Sequence, residues 1–130
     1  MNHPEDLMQT ALFRWAKLEE CKYPELKLMH HVPNGGKRGI KEAARLKAAG
    51  VKAGVPDVVL PVSRGGYHGL YIELKAGKNR PTAEQTEWLT ALGRNGYRTA
   101  VCYTLDDAIR EVKAYLGLRE VKGNENSCGL

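Results

Sequence analysis

Apolar and polar positions follow two periods along this chain. From Pro4 to Glu20, Leu7, Met8, Ala11, Leu12, Trp15 and Leu18 recur at the spacing of one helix face. Pro4, Glu5 and Asp6 suit that helix's first turn, which favours a fixed φ and negative charge. Leu26 to Val32 reads as an edge strand, ended by the turn signal Pro33-Asn34-Gly35-Gly36. Ile40 to Ala49 is rich in strong helix formers, and Gly50 suits its C-terminal cap. Pro56 to Leu60 and Leu70 to Lys75 are short apolar runs that predict buried strands. Ser63 to Gly69, rich in turn residues, joins them as a hairpin or short loop. Thr82 to Leu92 predicts a helix with a Thr82/Gln85 capping box, stopped by Gly93, Asn95 and Gly96. Arg98 to Tyr103 predicts a strand, and Leu105 to Leu116 a last helix with Asp106 and Asp107 near its start. Residues 119–130 show no periodicity and read as a loose tail. The order α, weak β, α, β, β, α, β, α predicts one α/β domain over residues 1–118. Its mixed central sheet is flanked by helices.

Charge interrupts the two most apolar strands. Side chains alternate across a strand, so Leu70, Ile72 and Leu74 share one face, and Tyr71, Glu73 and Lys75 the other. If the Asp57 strand pairs with this one, Asp57 and Glu73 can converge on one cation, with Lys75 directed into the same space. A buried unpaired charge costs several kcal/mol or more, so such a cluster demands compensation. A hard divalent cation such as Mg²⁺, held by carboxylates and a backbone carbonyl, is one candidate. A solvated sheet face on which Glu73 and Lys75 merely pair is the other.

Composition narrows the classes. The chain has 130 residues, enough for one domain with a real core, and a net charge of +5 that suits an anionic partner. Its three cysteines, Cys21, Cys102 and Cys128, are far apart, with no Cys-x-x-Cys pair. That pattern indicates neither a disulfide framework nor a zinc site and fits a reducing cytoplasm. The polar, acidic N-terminus is no signal peptide, and no apolar run is long enough to span a membrane. His31 and Arg38 stand where a P-loop needs Gly and Ser or Thr, so no nucleotide cofactor is expected. His30 and His31, as strand neighbours, face opposite ways and make a poor metal pair.

Pro56-Asp57 followed by Glu73-Leu74-Lys75 resembles the PD-(D/E)XK nuclease signature. The flanking residues resemble its virus-type replication-repair branch, the VRR-NUC domain, across roughly residues 5 to 116. They are His31-Val32-Pro33-Asn34-Gly35-Gly36, Glu42 to Lys47, Gly50 with Gly54-Val55-Pro56-Asp57, Gly69 to Lys75, and Thr82-Ala83-Glu84-Gln85. The bare Asp…Glu-x-Lys pattern is weak; the ordered series around it is specific. The resemblance implies a restriction-endonuclease-like core and a Mg²⁺- or Mn²⁺-dependent endodeoxyribonuclease. It implies Asp57 and Glu73 as metal ligands with the carbonyl of Leu74, and Lys75 as the group that positions the attacking water. Gln85 matches a glutamine that such nucleases carry on the following helix; its competing reading is the capping box. Glu5 matches an additional acidic residue on the first helix, with Gln9 one turn on. Glu5 can instead simply favour the helix N-terminus, and Asp6 is an alternative match.

Basic residues flank this constellation. Lys37, Arg38, Lys41 and Arg45 precede it, Lys78 and Arg80 follow it, and Asn34 with its glycines can line the site or approach a phosphate. Phosphate contact explains such clusters; solvated helix faces and a simple turn are the plainer alternatives. No aromatic-rich strand suggests stacking on single strands, so duplex or branched DNA is expected. The resemblance further implies stand-alone phage or bacterial proteins, working as homodimers on branched DNA such as Holliday junctions. The alternatives are a flap or nicked-duplex nuclease, or a DNA-binding module of the same fold without the chemistry.

Overall fold

The computed structural model describes residues 3–33 and 39–120. Asn34, Lys37 and Arg38, the turn glycines beside them and the tail beyond 120 lie outside the described residues. Helix α1 spans Pro4–Glu19 and α2 Ile40–Ala48; α3 spans Ala83–Arg94 and α4 Leu105–Leu116. Strands β1 (His30–His31), β2 (Val58–Leu60), β3 (Leu70–Leu74) and β4 (Arg98–Cys102) form one sheet in the order β1-β2-β3-β4. The first two pairings are antiparallel, and β3 to β4 is parallel, joined by the crossover helix α3. This is the mixed α/β sheet that the periodicities predict.

Register follows from which face is buried. Val58 opposes Ile72, Leu60 opposes Leu70, and Leu74 pairs with Cys102. These six side chains point into one core against Leu12 and Ala16 of α1 and Ala108, Val112 and Tyr115 of α4. The second face carries Val59, Tyr71 and Glu73, and α3 packs against β4 on the crossover side. The β2–β3 connection turns at Arg64-Gly65-Gly66-Tyr67, whose end residues bond each other's backbone at 2.8 and 3.2 Å. Gly65 and Gly66 take φ of +57° and +88°, the left-handed pair that a two-residue hairpin turn requires. Leu118 packs on the core beyond α4, and the Arg119 carbonyl accepts the Gly65 N–H at 2.7 Å.

One predicted element is different. The expected strand over Leu26 to Val32 shrinks to His30–His31, preceded by a 3₁₀ turn over Pro24–Leu28. The buried residues are Leu26 and Met29, three apart, while Leu28 is 55% exposed. That spacing is the 3₁₀ period, and Pro24 pre-sets φ at its start. On α1 the buried stripe is Leu12 and Ala16 flanked by Met8, Phe13 and Trp15; Leu7 and Leu18 are exposed. Helix α2 buries no side chain.

Candidate active site

The β2–β3 register decides whether the two carboxylates meet. Val58 opposes Ile72, so one step further along the antiparallel pair Asp57 faces Glu73. The ladder ends there, and the Asp57 side chain takes over: its Oδ2 accepts the Leu74 N–H at 2.8 Å. A strand residue presents its N–H and C=O to the same side in an antiparallel pair, which directs the Leu74 carbonyl toward Asp57 as well.

Glu73 lies on the face away from the apolar core yet is only 2% exposed. Its Oε2 sits 3.6 Å from the Lys75 ammonium, and both groups are largely sequestered from solvent. Its Oε1 is buried and has no hydrogen-bond partner. Burial, and then the Asp57 charge, push the Glu73 carboxyl up to about 8, with Lys75 pulling it back. One ammonium therefore does not balance the two carboxylates. The arrangement has a buried carboxyl oxygen without a hydrogen-bond partner, whose ionised form is disfavoured as long as no cation is present, a second carboxylate across the strand pair and a backbone carbonyl nearby. Such oxygen donors fit a hard dication, which satisfies a lone carboxylate oxygen and relieves the repulsion. Among the described residues no group of three or more His, Cys, Asp or Glu side chains is gathered to hold a metal ion. A cation bound there would meet two carboxylates and a main-chain oxygen, a sparse shell that would leave it several waters.

Glu5 reaches the same end of β3. Its Oε2 accepts from the Ala76 N–H at 3.1 Å and from Asn79 Nδ2 at 3.2 Å, which ties the start of α1 to the turn after Lys75. This long-range clasp separates Glu5 from its exposed neighbour Asp6. Gln85 makes the capping box: its Oε1 accepts from the Thr82 N–H at 2.8 Å, and its own N–H reaches Thr82 Oγ1 at 3.1 Å. The start of α3 nonetheless lies against the segment leading to Asp57. Gly54 has φ +92°, and a Cβ there would stand 2.8 Å from the Glu84 backbone.

Lys78 and Arg80 are exposed on the segment after β3, while Lys41 and Arg45 are exposed on α2. Arg45 pairs with Glu42 one turn away. A cavity of about 510 Å³ between Ala43, Leu46 and Lys47 of α2, Val51 to Ala53 and Glu84 brings α2 beside the start of α3. Two residues outside the sequence-derived set also touch the site. Asn79 holds Glu5, and His31 Nδ1 bonds the Asp57 carbonyl at 2.8 Å. His31 stood in the quoted motif, but nothing in its spacing revealed the contact. Asn79 carried no signal, because its partner is 74 residues away.

A mixed four-stranded sheet flanked by helices, with Asp57, Glu73 and Lys75 at adjoining strand ends, is consistent with a nuclease-like α/β fold. The VRR-NUC domain family model matches residues 4–105. A solved structure described as a VRR_NUC domain protein is 35% identical, with a TM-score of 0.79, over 95% of this chain and 96% of that one. A comparison with curated proteins found no match. The chain belongs to the VRR-NUC family, a family of nucleases.

Proposed function

We propose that this protein is a divalent-metal-dependent endonuclease that hydrolyses phosphodiesters in DNA, with branched DNA such as a four-way junction as substrate. The observation that carries the reading is the buried, unpartnered Oε1 of Glu73 facing Asp57 across the strand pair, with Lys75 3.6 Å from the same carboxylate. Family membership supports nuclease chemistry and DNA as the polymer.

Asp57, Glu73 and the Leu74 carbonyl would hold Mg²⁺ or Mn²⁺, which supplies a Lewis acid and lowers the pKa of bound water. The chain's own residues do the rest. Lys75, largely buried beside Glu73, orients the attacking water and offsets charge that grows on the phosphoryl oxygens. Glu5 fixes the turn after Lys75 and so sets where the ammonium stands. Gln85, on a helix start packed against Gly54, has its amide nitrogen for a contact at the site beyond the box that occupies its oxygen. Lys41, Arg45, Lys78 and Arg80 supply phosphate contacts that position the duplex without reading its sequence; Asn34, Lys37 and Arg38 belong to the same proposed set. A homodimer would present two such centres to opposed strands of a junction, a reading supported by the family resemblance alone.

The test is a panel of labelled four-way, flap, nicked and linear DNAs incubated with and without Mg²⁺ or Mn²⁺. Metal-dependent cutting, greatest on the junction and lost in Lys75→Ala, is expected. Binding without cutting by wild type and Lys75→Ala alike would establish a DNA-binding module instead.

A further inference from the structure

We infer that His31 is a positioning residue for Asp57, acting from the edge strand through the Asp57 backbone; this rests on the metal-site reading above. The Asp57 carbonyl accepts two hydrogen bonds, from the Val32 N–H at 2.9 Å and from His31 Nδ1 at 2.8 Å. On its other side, Asp57 Oδ2 accepts from the Leu74 N–H at 2.8 Å. Asp57 is thereby tied to β1 by its main chain and to β3 by its side chain. It needs both ties, because the β2–β3 ladder ends at Val58 and Asp57 lies one residue beyond the strand. Without the His31 ring the Val32 N–H alone holds the Asp57 carbonyl, so the peptide can pivot about that single bond and the carboxylate is held less firmly in line with Glu73.

The chemistry assigns which ring atom does this. A carbonyl only accepts, so the contact requires the proton on Nδ1, and Nε2 takes no part in it. His31 is exposed, and it is the ring's directed bond, not its burial, that connects it to the site. Its neighbour His30 turns the equivalent atom to the Leu28 carbonyl at 3.0 Å and so closes the 3₁₀ turn without touching Asp57. Groups that orient metal-binding residues in this way typically contribute 10- to 100-fold to metal affinity.

The two ring nitrogens can be separated by substitution. The Asn side-chain amide occupies the position of Nδ1, and that of Gln the position of Nε2. Mn²⁺ binding is measured calorimetrically on wild type, His31→Ala, His31→Asn and His31→Gln, with no DNA present. The expected result is affinity roughly tenfold weaker in His31→Ala and His31→Gln and restored to near wild type in His31→Asn. The exchange rate of the Leu74 amide proton in metal-free protein gives a second readout. It should rise in His31→Ala and His31→Gln and return in His31→Asn. Wild-type affinity and exchange in His31→Ala, or rescue by Gln and not Asn, would overturn the inference. If the Ala variant does not fold, the Asn and Gln pair decides. Absence of Mn²⁺ binding by wild type itself would instead sink the metal-site reading and take this inference with it.

Discussion

Glu73 is the residue on which opposing forces are most visible. Its carboxyl is raised to about 8 by burial and by Asp57, well above the ordinary carboxylate value it has when unfolded. The folded chain therefore holds a proton that the unfolded chain has released between about pH 4.5 and 8. The contribution of this carboxyl to metal-free stability should be fully present below about pH 4.5 and be lost as pH rises to about 8. Glu73→Gln removes the titration, so its melting temperature in EDTA should equal or exceed wild type, by a margin that grows from pH 5 to pH 9. A constant margin would show that the raised carboxyl is not the cause. Burial acts in the same direction on Cys102, whose thiol is pushed up to about 11, whereas Cys21 is exposed. Iodoacetamide at pH 7.5 should modify Cys21 long before Cys102 in the native protein, as peptide mapping can verify.

At the scale of elements, what matters is how loosely adjoining pieces are pinned at one point. Thr82 and Gln85 close a reciprocal box, so Thr82→Ala should cost about 1 kcal/mol in denaturant unfolding. Gln85→Glu keeps a residue type that completes the box and changes the amide, so stability should hold while cleavage falls. Cleavage that stays at the wild-type rate would leave Gln85 only its capping role. Gly54 sits at positive φ with no room for a Cβ beside Glu84; Gly54→Ala should destabilise the fold by roughly 1–3 kcal/mol or more. The capped helices and the alternation of Leu70 to Lys75 were legible in the sequence, because local chemistry fixes them. The 3₁₀ turn at Pro24 was not: Leu26 and Leu28 mimic strand alternation, and only packing shows that Leu26 and Met29 are the buried pair.

Across the whole molecule, the sheet order brings distant charges to one end. Asp57, Glu73 and Lys75 were legible as candidates from type and spacing, but their meeting depends on a register that only the paired strands supply. The contacts of Asn79 and His31 were not legible because each is made with a partner far away in sequence. No helix among the described residues is long and apolar enough to cross a membrane. With a net charge of +5 and basic groups on α2 and after β3, DNA affinity should fall steeply with salt. Lys78→Ala with Arg80→Ala should flatten that salt dependence.

The central claim is that Asp57 and Glu73 together make a metal-dependent cutting centre. Its most direct test is the single-turnover cleavage rate of a labelled four-way junction at saturating protein, for wild type and Asp57→Asn, in Mn²⁺ and in EDTA. Wild type should cut only with Mn²⁺, and Asp57→Asn should bind the junction equally but cut at least ~100-fold more slowly. Cutting by Asp57→Asn at the wild-type rate, or equal cutting in EDTA, would contradict the account.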